Sequence, residues 1–433
     1  MPPEAGAHAE INPGPLGLGV DLGSSGLRLA LIDAGGCVLA EEASAYPTAF
    51  ADPDAWRSGV ITLCRRLAPE LRGRVVAIAV DGTSGTLLLC RPDGGLLPGV
   101  CSRALPYHQA CPQQAAASAQ LVGAAAATTP AATASGSLAR ALTLLAAAGD
   151  GPWLLRHQAD WLMGWLLGDW RWGEEGNNLR LGWDLQAGAW LGRIAAQPWS
   201  GALPEICASG SRLGVLSPAA AAALGLGAEV AVVAGSTDAS AAVLAANPQP
   251  GDGVSVLGTT LALKQFAPQP IRAPGVSCQR LAGQWLLGGA SNAGAGVLRQ
   301  FFSDAQLQEL SRQIDPRQES GLQLRPLPRP GERFPVDDPA LPPILEPRPV
   351  SDALYLQGLL EGLARIERDG WRRLQDLGAP PVRRVISLGG GARNPQWRAI
   401  RERLLGVPVL NRPQASAASG MARLALSAIA VSP

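Results

Sequence analysis

The stretch Leu16–Ile32 reads LGLGVDLGSSGLRLALI, two apolar β-type runs around a tight Asp-Leu-Gly-Ser-Ser-Gly turn. It constrains the fold more than any other segment. Gly17–Asp21 and Leu27–Ile32 read as hairpin strands, so one carboxylate, two hydroxyls and free backbone N–H groups gather at one tip. Such a tip either holds a phosphate and a metal ion or is a plain hairpin turn, and the residues alone leave both readings open. Cys37–Ala43 reads as a third strand of the meander. The device recurs. Val75–Val80 is a continuous apolar run of buried-strand length, which ends at Asp81-Gly82-Thr83-Ser84-Gly85-Thr86 and continues as Leu87–Cys90. This is reuse of a local device, not a full repeat.

Further along, Glu229–Ala234 reads as a strand, followed by Gly235-Ser236-Thr237-Asp238 and a helix over 239–246. Asn247-Pro248-Gln249-Pro250 stops that helix, which places a domain boundary there. Gly253–Leu257, Gly258-Thr259-Thr260 and Leu261–Gln265 form another strand–turn–strand unit. Arg383–Leu388 is a strand leading into Gly389-Gly390-Gly391-Ala392-Arg393-Asn394, with Pro395 at the first position of a helix. The other helical stretches are Pro53–Leu71, Pro152–Leu167, Ala293–Phe302, the amphipathic Ser351–Leu377 and a final helix over 415–429. The segment 173–184, GEEGNNLRLGWD, reads as an ordered polar loop, and 316–350 as a long irregular excursion. Trp161, Trp165, Trp170 and Trp172 read as core packing.

A chain of 433 residues has room for two domains. Its net charge of +1 argues against a nucleic-acid partner bound by bulk charge. Seven cysteines without a C-x-x-C pair read as ordinary thiols in a reducing compartment, and three scattered histidines are too few for a zinc site. No apolar run reaches membrane-spanning length, and residues 1–15 read as a floppy tail. A cytoplasmic monomer or homodimer acting on a small molecule, with no membrane or nucleic-acid partner, is the expectation. Abundant Ala and Gly read as codon bias.

Four Gly/hydroxyl turns, with Asp21, Asp81 and Asp238 each closing a strand, carry the chemical signal. No P-loop motif is present, and the Gly389–Asn394 loop is not a dinucleotide fingerprint. A nucleoside triphosphate needs close backbone N–H groups, which Gly and small hydroxyl residues allow, and Mg²⁺ needs a carboxylate or two plus phosphate oxygens. Phosphoryl transfer then asks mainly for alignment and a base for the acceptor hydroxyl. Asp238, at a helix start, suits the base role; it equally suits a helix cap.

The order VDLGSSG, GSTDASAAVLA, LGTT, SLGGGARNPQWRAIRERLLGVPV resembles the FGGY carbohydrate kinases from about Gly17 to Leu426. The DGTSGT and GNNLRLGWD segments are most similar to the plant and cyanobacterial branch regarded as D-ribulose kinases (xylulose-kinase-like). The resemblance implies an α/β, actin/hexokinase-like fold of two ribonuclease H-like domains around an ATP cleft. Residues 16–246 would be the sugar-binding N-terminal domain, 247–414 the ATP-binding C-terminal domain, and 415–433 would return to the first. It implies ATP and Mg²⁺, with Asp238 as catalytic base and Asp21 facing sugar and metal. Gly23, Ser24 and Ser25 would lie at the phosphate turn, with both serines near the sugar, and Thr83 and Ser84 would touch the sugar. Gly258, Thr259 and Thr260 would cradle the β- and γ-phosphates; Gly389, Gly390 and Asn394 would line the adenosine site. Trp397 would stack on adenine or pack on its own domain, and Asp81 would only fix its turn. The implied substrate is D-ribulose, then D-xylulose, another polyol or ketose; a nucleotide-binding module without sugar turnover is the rival. The family's acidic sugar loop is replaced here by Ala104-Leu105-Pro106-Tyr107-His108-Gln109-Ala110, and the final helix opens with Gln414-Ala415-Ser416 in place of a Glu.

Overall fold

A computed structural model describes residues 14–124, 129–413 and 415–430. Most of the expected tail, and Gln414, lie outside the described residues. Two six-stranded mixed sheets organise the rest. In the first, Leu16–Gly23 forms an antiparallel hairpin with Gly26–Ile32, which Val38–Ser44 extends. On its other side Leu16–Gly23 runs parallel to Val75–Gly82, and that strand runs parallel to Ala231–Thr237. Three parallel strands therefore end at one edge, each carrying an acid there. The second sheet repeats the scheme. Asp252–Leu257 pairs antiparallel with Leu261–Ala267 and parallel with Arg384–Leu388, which runs parallel to Val409–Asn411. The hairpin Val276–Leu281/Gln284–Ala290 completes it. Each sheet carries its own large apolar cluster.

Several elements depart from expectation. Within 152–167 only Gln158–Leu167 is helical; Leu154–His157 is a strand paired antiparallel to Leu87–Cys90, a partner distant in sequence that overrides local apolar spacing. Pro69 splits Pro53–Leu71 into Pro53–Arg66 and a single turn, Pro69–Arg72. The polar loop begins as a strand, Trp172–Glu174, and a turn of helix, Glu175–Asn178, capped by the Glu174 carboxylate. In 293–302 only Ala295–Leu298 is helical; a second helix, Asp304–Arg312, follows with a Ser303/Gln306 capping box. Trp161 and Trp165 lie in the first core cluster. All seven cysteines are free, and no helix among the described residues is long and apolar enough to cross a membrane.

The helix Ala417–Ala430 lies across the first sheet, and here the small residues have a use beyond codon bias. A Cβ on Gly19 would lie 1.8 Å from the Ala418 carbonyl oxygen, and one on Gly17 2.4 Å from that of Ala422. A Cβ on Gly420 would lie 2.0 Å from the Ala241 carbonyl oxygen on helix Asp238–Ala245. Backbone on both sides leaves nothing to move aside. Gly19→Ala is expected to lower unfolding free energy by about 3 kcal/mol, read as a lower urea midpoint at unchanged slope. The other side of helix Asp238–Ala245 meets the second sheet: Val243 and Ala246 pack with Val254 and Ile386. Both domains thus grip the helix that Asp238 begins.

Candidate active site

The register of the first sheet brings the acids together. Asp21 and Asp81 are Cα partners across parallel strands, and Ser236 pairs with Asp81. Between Val233 and Ser236 the register slips, at a position where a Cβ on Gly235 would lie 1.8 Å from the Val80 carbonyl oxygen. The slip re-aims the strand end and delivers Asp238 beside the other two acids.

Their environments differ. Asp21 is buried, and burial raises its pKa, although Arg28, its partner across the hairpin, holds it at 3.1 Å. Asp81 is fully buried and takes no hydrogen bond from a donor. Burial, then the charges of Asp21 and Asp238, push its pKa well above the usual carboxylate range. It is part of the charge balance of the site, which sequence reasoning missed because only packing reveals it. Asp238 remains partly exposed. Burial first of all raises its pKa to about 6, opposed by the N–H groups of Ala239, at 2.7 Å, and Ser84.

The two turns beside these acids are tied by a chain of hydrogen bonds. The Tyr46 hydroxyl donates to the Gly23 carbonyl at 2.7 Å, and Gln158 Nε2 donates to Tyr46 at 3.4 Å. Gln158 Oε1 accepts from the Thr83 N–H and hydroxyl at 3.1 and 2.9 Å. Thr83 Oγ1 also meets Thr86 Oγ1 at 2.6 Å, and Thr86 accepts from the Tyr107 N–H at 3.1 Å. The Thr83 hydroxyl is therefore committed inside its turn, and Ser84 is the hydroxyl left open; Ser24 and Ser25 are exposed at the first tip. Buried Arg140 donates to the carbonyls of Gly85, Gln109 and Tyr107, clamping the 104–110 loop to this turn without any carboxylate. Neither Gln158 nor Arg140 carries a sequence signal, since each works through partners far along the chain.

On the second domain a cavity of about 600 Å³ is lined by Gly258, Thr259, Gly390, Asn394 and Trp397, joined by Gln308, Ser311 and Arg312 from the helix that sequence reading did not find. Thr260 and Gly389 are not among its lining residues. Gly389 instead makes the turn, at φ +83° with an added Cβ 2.9 Å from the Leu257 carbonyl oxygen. The Asn394 carboxamide caps its helix through the Trp397 N–H at 2.9 Å and donates to Ser311 at 2.8 Å, so it shapes the wall and its polar atoms are taken. Trp397 is buried behind Gly391 and belongs to the domain's apolar cluster, an arrangement that packs the indole against the protein.

Residues 253–429 match the model of the FGGY family of carbohydrate kinases, C-terminal domain. These residues form an FGGY carbohydrate-kinase C-terminal domain. The fold of the whole chain is similar to that of a xyloylose kinase from Brucella ovis, at 22% identity and TM-score 0.82, covering 96% of this chain and 91% of that one. It is also similar to a xylulose kinase from Rhodospirillum rubrum, at 21% identity and TM-score 0.79, over 96% and 90% of the two chains. A glycerol kinase from Plasmodium falciparum with ADP is similar at 14% identity and TM-score 0.79, over 97% and 90%. These likenesses show that the chain shares the actin/hexokinase-like two-domain fold.

Proposed function

We propose that this sugar kinase transfers the γ-phosphoryl group of ATP to the terminal hydroxyl of a ketopentose, D-ribulose first and D-xylulose second, giving D-ribulose 5-phosphate from the former. The observation that carries the reading is Asp238, a partly open carboxylate with its pKa raised to about 6, beside the buried Asp21 and Asp81. A base of that strength is ionised at neutral pH and can still accept a proton. The sugar hydroxyl gives its proton to Asp238 as its oxygen bonds to the γ-phosphorus, and the bond from that phosphorus to the bridging oxygen of ADP breaks. Ser84, Ser24 and Ser25 are the open hydroxyls nearest the acids, suited to the sugar and the phosphates, and the 600 Å³ cavity suits adenosine. Gly258 and Thr259 sit where that cavity opens, suited to the β- and γ-phosphates, with Thr260 exposed beside them.

Among the described residues no group of three His, Cys, Asp or Glu side chains closes a metal cage. Mg²⁺ carried by a nucleotide needs no such cage, only one or two carboxylates beside the phosphates. Asp21, with the orphaned oxygens of Asp81 behind it, fits that need. Bound there with ATP, the ion would supply charge neutralisation.

An ADP-release assay across ketoses and polyols tests the reading. D-Ribulose is expected to show the highest kcat/KM and D-xylulose the next. ATP binding with no turnover on any sugar would overturn it in favour of a nucleotide-binding module.

A further inference from the structure

We propose that Arg180, in the turn Leu179–Leu181 against the Gly85-bearing turn, contacts the transferring phosphoryl group, with Arg333 of the second domain reaching the same group from the opposite wall. The assignment rests on the kinase reading above and adds a residue to it. Arg180 lies in the turn Leu179–Leu181, held by fully buried Leu181 on one side and by the Glu174-capped helix on the other. Its stem passes the sugar-side turn, where a Cβ on Gly85 would lie 3.6 Å from Arg180 Cδ. The backbone is pinned and the head group is not: among the described residues the guanidinium makes no hydrogen bond and no ion pair within 4.0 Å.

The charges around it are unbalanced. Arg180 feels the attraction of Asp238 and the repulsion of Arg333, and Arg140 meets it at Gly85, where an added Cβ would lie 3.3 Å from Arg140 Nη1 and 3.6 Å from Arg180 Cδ. Arg140 is spent on three carbonyls. Arg333 is anchored through its Nε to the Ala290 carbonyl at 2.7 Å. Ala290 pairs with Ala262, one residue beyond the Leu261 that closes the Gly258–Thr260 turn, so Arg333 stands on the nucleotide side of the cleft. With Asp21 already held by Arg28 and Arg140 spent, Arg180 and Arg333 face the one open carboxylate, Asp238, and make a site for an anion. The anion that belongs between Asp238 and the Gly258–Thr260 turn is the phosphoryl group in transit. Arg180, whose donors are all uncommitted, is placed to gain hydrogen bonds as charge spreads onto the equatorial oxygens, and two facing cations repel until that charge arrives.

The test is steady-state kinetics on the full chain with the best sugar of the panel. Arg180→Met is expected to melt like the parent, to keep both KM values within about threefold, and to lose about 100-fold or more in kcat. Added guanidinium ion is expected to restore part of the activity of Arg180→Ala. Should Arg180→Met fail to melt cooperatively, Arg180→Lys carries the same expectation, a fall in kcat, because a point charge cannot reproduce the fork. A kcat within about threefold of the parent in the folded variant would overturn the assignment alone. A rise in sugar KM matching the loss, without rescue, would overturn it by placing Arg180 on the sugar. A parent enzyme inert toward every sugar would overturn the kinase reading and this assignment together.

Discussion

Asp238→Asn is expected to lower kcat by about 1000-fold while leaving the protein at least as stable as the parent. The two effects have one cause. Burial raises the Asp238 pKa from the ordinary 3.8 to about 6, so the folded state holds this carboxylate ionised at a cost. Folded pKa above unfolded pKa means that the folded chain binds the extra proton. The destabilisation by Asp238 is therefore fully present above pH about 6 and is relieved as pH falls toward 3.8. Catalysis runs the other way, since only the ionised form accepts the sugar proton. In the parent, kcat is expected to fall as pH drops through about 6 while the destabilisation by this group is relieved, so the acid limb is not unfolding of its making. Asparagine keeps an oxygen for the Ala239 N–H, which donates at 2.7 Å, and removes both the charge and the base. Paired kcat profiles and thermal melts between about pH 5 and about pH 8 check this. A parent kcat that stays flat through pH 6, or an asparagine variant with near-parent turnover, would remove Asp238 from the base role.

Much of the architecture could be read from the chain because it is written locally. Apolar runs broken by Gly/Ser/Thr turns declare the hairpin tips at Leu16–Ile32 and Gly253–Gln265, and an acid at a run's end declares where a parallel strand stops. The helix Asp52 caps and the helix Pro395 opens are local too. What could not be read depends on partners remote in sequence. Leu154–His157 is a strand only because Leu87–Cys90 lies beside it. Thr83 looks free until Gln158 is brought up against it, and Asn394 looks free until Ser311 is. Asp81 resembles Asp21 in its motif, and only complete burial near two other carboxylates sets its environment apart. Local pattern thus located the strand ends and turns that make up the site, whereas the division of labour within each turn is set by packing.

Removing one member of the buried pair Arg401–Glu367 is expected to cost about 3–5 kcal/mol, the largest stability effect foreseen for a single side chain here. Arg401 and Glu367 are 0% and 1% exposed, and two guanidinium nitrogens meet the carboxylate at 2.6 and 2.7 Å. Ser387 accepts the remaining arm at 2.6 Å and Ser255 donates to the carboxylate at 2.5 Å. The four side chains come from helices Asp352–Asp376 and Pro395–Leu405 and from strands Asp252–Leu257 and Arg384–Leu388. These elements carry both glycine-bearing turns at the cavity mouth, so the pair fixes the spacing of the proposed nucleotide walls. Arg401→Met leaves a carboxylate stranded in the core, and Glu367→Gln leaves a guanidinium there. The double replacement Glu367→Leu with Arg401→Met strands no charge, and is expected to be more stable than Arg401→Met alone. Urea unfolding of the three variants measures this. Singles costing less than about 1 kcal/mol would show that the pair is reached by water. In the folded Glu367→Gln protein, ATP affinity is expected to drop while the pH dependence of kcat stays with Asp238, because the substitution loosens the wall and leaves the base untouched.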